Sequence, residues 1–155
     1  QQRSCADTRS LCHAPSYGMH LSSNGLVSAC SLTRFDPLGK YPEESLEQIW
    51  WGGRARAARR AMLGDVFPPG CNICSSDARA GQYRQMRAHA YDVYARTPTL
   101  KLIEQLRNVT TNGKFGEYPR QMSFELANTC NLECVMCLGL LSSSIRKNRE
   151  KLPPL

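Results

Sequence analysis

The chain contains the stretch NTCNLECVMC, residues 128–137, in which Cys130, Cys134 and Cys137 follow the pattern C-x-x-x-C-x-x-C. Three thiols so close together are suited to metal, yet a structural zinc site closes with four protein ligands and three leave it short by one. An iron-sulfur cubane can use that shortage, because three thiolates leave its fourth iron open to a ligand that is not protein. Free thiols in a loop are the bland alternative, but free cysteines are usually scattered and buried singly.

Four more cysteines stand upstream. Cys12, Gly25 and Cys30 fall in CHAPSYGMHLSSNGLVSAC, and Cys71 and Cys74 in PPGCNIC. The SSNG tetrapeptide is a turn signal between the strand-like runs YGMHL and LVSACSL, which predicts a β-hairpin with one thiol on each arm. Two prolines and a glycine predict a tight knuckle at Cys71. Two thiols from a hairpin and two from a knuckle complete a ligand set, for zinc or for a fully ligated cluster.

The 155 residues suffice for one ordinary domain, or for two small ones that lean on metal. At 41 % hydrophobic and 21 % charged, the composition is globular. The formal net charge of +7 invites a nucleic-acid reading. Ionising seven thiols around two clusters of about +2 each would lower it to roughly +4, a modest excess. Four disulfides would be the alternative use of eight cysteines, but C-x-x-C spacings favour metal or redox chemistry. No signal-like apolar run and no membrane span is evident, so a soluble, cytoplasmic protein without a membrane partner is expected. The chain starts at Gln1 and stops soon after Cys137, which suggests part of a longer protein.

The elements that must position these thiols are legible in outline. Pro42 and two glutamates are expected to open a short helix that Gly52-Gly53 ends. A second helix follows, with Ala55, Ala58, Met62 and Leu63 on a narrow apolar side and Arg54, Arg56, Arg59 and Arg60 on a solvated one. Trp50 and Trp51 are expected to pack on the hairpin, and nucleic-acid contact is not the favoured reading. Residues 79–108 read as helical, with Tyr83, Met86, Ala90, Tyr91 and Tyr94 as a core face, a break at Pro98 and a second stretch TLKLIEQLRNV. His13, beside Cys12, is a weak candidate for a spare ligand, and His89 reads as structural. TTNGKFGEYP marks a joint, RQMSFELA alternates as a strand, and LLSSSIRKNREKL begins a helix. Strand, metal loop, helix is the opening unit of an α/β fold with its site at the strand's carboxyl end.

Placed after a strand, CNLECVMC resembles the signature of the radical S-adenosylmethionine enzymes. The spacing C-x12-G-x4-C at Cys12, Gly25 and Cys30, the PLG and SLEQIW segments, and Cys71-x-x-Cys74 resemble a SPASM or twitch auxiliary-cluster module, here ahead of the barrel. The resemblance implies an α/β class, α+β overall: a module over residues 10–78, a helical linker over 79–116, and the start of a truncated (β/α) barrel over 117–155. It implies a four-iron four-sulfur cluster on Cys130, Cys134 and Cys137 whose open iron chelates S-adenosylmethionine, with Met136 near the adenine where the family usually has an aromatic residue. It implies a second, auxiliary iron-sulfur cluster on Cys12, Cys30, Cys71 and Cys74, a reductant such as flavodoxin or ferredoxin, and a substrate that is often a peptide. Cys5 has no role in this reading. The further barrel strands, with the catalytic groups for substrate, are absent, so this chain alone is expected not to turn over. A zinc-stabilised module binding nucleic acid or protein is the alternative. It accounts for the first four thiols and leaves the other three short of a ligand unless the distant Cys5 completes their set.

Overall fold

The structure, a computed structural model, describes residues 12–95 and 118–155. It is an α+β fold. A four-residue helix α1, Ala14–Tyr17, leads into β1, Gly18–Leu21, which turns back as β2, Leu26–Ser28; β3, Gly39–Lys40, follows. Helices α2, Leu46–Trp51, α3, Gly53–Leu63, and α4, Asn72–Arg79, come next, then a 3-10 segment, Arg87–Ala95. Beyond the undescribed stretch lie β4, Gln121–Phe124, and α5, Ser143–Asn148. The second stretch TLKLIEQLRNV and the break at Pro98 fall outside the described residues, as does Cys5.

The expected hairpin forms, with His20 opposite Ser28 and Leu21 opposite Val27. Its turn depends on Gly25, which has φ +83°, and a Cβ there would press on the carbonyl oxygen of Tyr41. The Tyr41 N–H in turn donates to the Gly25 carbonyl at 2.8 Å, tying the turn to β3. Gly25→Ala therefore adds left-handed strain to a close contact. A loss of about 1–2 kcal/mol is expected, read as a lowered thermal midpoint. An unchanged midpoint would show that this turn adapts to a side chain.

The sheet order is β3-β2-β1-β4, with β4 parallel to β1 and at the edge. The strand predicted from RQMSFELA is present, but its apolar residues Met122, Phe124 and Leu126 face solvent, while Gln121, Ser123 and Glu125 are half-buried. Glu125 explains the inward polar side. Its Oε1 stands 3.1 Å from an Arg34 guanidinium nitrogen and 3.4 Å from Nε2 of the buried His20. Burial pushes the His20 pKa below its usual value, against the pull of Glu125.

Two apolar cores flank this sheet. One joins Met19 and Val27 of the hairpin to Ile49 and Trp50, so Trp50 packs where its composition predicted. The helix carrying it starts later than expected. Ser45 caps α2 by accepting from the Gln48 N–H at 3.1 Å, while the Gln48 side chain accepts from the Ser45 N–H at 2.8 Å. This reciprocal cap outcompetes Pro42 and the glutamates as a start signal. The other core collects Cys12, Ala14, Cys30, Met62, Met86, Ala88 and Tyr91.

Helix α3 departs from its expected polarity. Ala55 and Met62 are buried as predicted, but so is Arg59, only 1 % exposed. Its Nε donates to the Pro15 carbonyl and Nη2 to the Trp50 carbonyl, both at 2.8 Å, with the guanidinium 4.2 Å from the centre of the Trp50 ring. Burial lowers its pKa to about 10, which leaves it charged at neutral pH. Arg54 and Arg60 stay exposed.

The helical reading of residues 79–95 is corrected in kind. Helix α4 ends at Arg79 and the chain continues as 3-10 turns. At three residues per turn, Ala88, Tyr91 and Tyr94 align, so Ala88 is buried and Ala90 exposed, the reverse of an α-helical face.

Candidate metal centre

Cys12, Cys30, Cys71 and Cys74 line one cavity. Neither Cys12 nor Cys30 lies within the hairpin strands as expected. Cys12 precedes α1 and Cys30 follows β2 by two residues, so both sit at the same end of the sheet. Cys71 and Cys74 come from the predicted knuckle, a 3-10 turn Pro69–Cys71 running into α4. Asp36 holds that turn by accepting from the Gly70 N–H at 3.1 Å. The remaining wall is largely apolar, with Ala14, Leu32, Met62 and Phe67 among its residues.

The sulfurs are met by donors. The Ala14 N–H points at Cys12 Sγ at 3.3 Å, the Thr33 hydroxyl lies 3.8 Å from Cys30 Sγ, and burial pushes the Cys74 pKa up against the smaller downward pull of the Ala88 and Arg87 backbone. Burial, together with the neighbouring thiols Cys30, Cys12 and Cys74, pushes the Cys71 pKa up to about 12. A cation at the centre of the four inverts that balance and favours thiolate. No disulfide joins any of the seven described cysteines.

Among the described residues no three His, Cys, Asp or Glu side chains are grouped closely enough to hold one metal ion. Four thiols lining one cavity make a complete ligand set, for zinc or for a fully ligated cluster. His13 stands at the N-terminus of α1 without a side-chain cap, its ring 6.2 Å from that of Tyr17 and outside the residues that line the cavity.

Cys130, Cys134 and Cys137 lie on the loop after β4, where a strand-loop-helix unit was expected to put them. The loop is stitched to α5. The Cys130 N–H donates to the Ser143 hydroxyl at 3.1 Å, the Ser142 hydroxyl donates to the Leu132 carbonyl at 2.7 Å, and the Ser143 N–H donates to the Asn128 carbonyl at 2.9 Å. Gly139 closes the far end by donating to Glu150 at 2.8 Å. Within this frame Cys134 is exposed and Cys130 and Cys137 are half-buried. The three thiols are thus held on one braced loop and not gathered to a point. Val135 and Met136, 95 % and 94 % exposed, stand in solvent. Three thiols on one loop are a donor set that fits a cluster with one open iron.

Residues 12–76 match the family model of SPASM, an iron-sulfur cluster-binding domain. The matched segment contains all four cavity thiols, and it supports iron-sulfur binding of the kind associated with radical S-adenosylmethionine enzymes. Compared with curated proteins and with solved structures, the chain matches none. Among the described residues, no helix is long and apolar enough to cross a membrane.

Proposed function

We propose that a chain carrying an iron-sulfur cluster-binding module over residues 12–76 is part of a radical S-adenosylmethionine enzyme with two clusters. The observation that carries this reading is the pairing of the four-thiol cavity with a separate loop of three cysteines. With its cluster and S-adenosylmethionine bound, the second site would supply a 5′-deoxyadenosyl radical for hydrogen abstraction from an unreactive carbon. Cys130, Cys134 and Cys137 would hold that cluster, and Met136 would offer an apolar contact to the adenine. Cys12, Cys30, Cys71 and Cys74 would hold the auxiliary cluster in a wall that keeps water away and so favours electron transfer over ligand binding. A flavodoxin- or ferredoxin-like reductant, a cytoplasmic setting and a peptide or natural-product substrate complete the proposal.

Anaerobic reconstitution with iron and sulfide tests it, followed by electron paramagnetic resonance of the reduced protein with and without S-adenosylmethionine. Two overlapping cluster signals are expected, one of which shifts on adding the cofactor. Stoichiometric zinc with no cluster signal would overturn the reading in favour of a zinc-stabilised binding module.

A further inference from the structure

The matched module ends at residue 76, yet the thiol cavity is not closed by the module alone. Arg87, Ala88 and Tyr91, from the 3-10 segment Arg87–Ala95, form part of its wall. We infer that this segment sets the reduction potential of the auxiliary cluster, with the Tyr91 hydroxyl as the adjustable donor. The inference rests on the iron-sulfur reading above.

The position of Tyr91 carries the inference. Its side chain is 4 % exposed, and its ring packs so closely over Gly18 that a Cβ there would lie 2.6 Å from Cε1. The phenol is therefore held in place and not free to swing out. The ring forms part of the wall of the thiol cavity, where a phenol normally finds an acceptor for its proton. The cavity it lines is otherwise poor in polar groups. Thr33 has its hydroxyl engaged with the Cys30 carbonyl at 3.0 Å, and the exposed Arg87 has access to water. Besides Thr33, Tyr91 supplies the one hydroxyl among the described residues of this wall. Arg87 and Ala88 of the same segment stand in the cavity wall beside Cys74.

A cluster gains negative charge on reduction, and each donor aimed at its sulfurs stabilises the reduced form and raises the potential. Removing one donor from an apolar, water-poor wall has the opposite effect. Tyr91 is accordingly a positioning and tuning residue, not a ligand.

The test is a redox titration of the reconstituted protein with dithionite, followed by electron paramagnetic resonance. Tyr91→Phe is expected to keep the iron content of the wild type and to shift the auxiliary-cluster potential to more negative values. Tyr94→Phe, on the same segment but outside the cavity wall, is expected to leave the potential unchanged. Equal potentials for wild type and Tyr91→Phe would overturn the inference while leaving the iron-sulfur reading intact. If Tyr91→Phe fails to assemble a cluster, wild-type sequence grown with 3-fluorotyrosine supplies the second measurement. Its more acidic phenol is expected to raise the potential, and no change would overturn the inference. A wild-type protein that takes up zinc and no cluster would instead overturn the underlying reading.

Discussion

Cys71→Ser is expected to reduce the iron bound on reconstitution from about eight atoms per chain to about four, at four irons per cluster. The cluster signal that responds to S-adenosylmethionine should persist. Cys71 is chosen because the cavity holds its sulfur among the other three thiols, away from bulk water. Serine is a harder ligand whose hydroxyl does not ionise near neutral pH, so the set would fall to three in a wall whose described residues include no replacement carboxylate or imidazole. The companion variant Cys134→Ser should give the reverse pattern. About four irons would remain, and the cofactor-induced change in the spectrum would vanish. Iron counting and spectra of the two variants side by side check both halves. If both variants lose the same signal, the seven thiols serve one cluster and the two-site reading fails.

Arg59→Ala is expected to destabilise the fold by about 3 kcal/mol or more, since two charge-assisted hydrogen bonds are lost at about 1.5–3 kcal/mol each. Those bonds join three elements. Pro15 lies in α1, three residues after Cys12; Trp50 is the last residue but one of α2; Arg59 itself is on α3. The two carbonyls would be left buried with no donor in place of the guanidinium. Arg59→Lys should recover little, because an ammonium has no planar fork with which to reach two carbonyls and lie over the Trp50 ring. Chemical denaturation checks this through the midpoint at constant slope. A midpoint for Arg59→Ala within about 0.5 kcal/mol of the wild type, as for an ordinary surface substitution, would show that α1 is held without the guanidinium.

Arg59 also shows where sequence reasoning stops. Its three neighbours in the arginine run behave as an amphipathic pattern allows, and nothing in that pattern marks one of four arginines for burial. What selects Arg59 is the pair of carbonyls at Pro15 and Trp50, which come from positions 44 and 9 residues away. The 3-10 segment is a similar case. Tyr83, Met86 and Tyr91 were legible as apolar, but the period was not, because the two alignments share Tyr91 and Tyr94 and differ only over Ala88 and Ala90. The outward face of β4 was hidden for another reason. Alternation in QMSFEL shows two faces without saying which is inner, and the Arg34–Glu125–His20 contacts decide it by drawing the polar face inward.

What the sequence by itself determined is the local chemistry. The spacing of the seven thiols, the turn at Gly25, the knuckle at Cys71 and the loop of three cysteines between a strand and a helix all follow from residue type and short-range geometry. Cys12 and Cys30 share one cavity with Cys71 and Cys74, as their spacing leads one to expect, but only the tertiary structure decided that Arg59 braces α1 and that Tyr91 from outside the matched module closes the wall. The physical reason is that spacing constrains neighbours along the chain, whereas burial and hydrogen-bond satisfaction are settled among groups that only folding brings together.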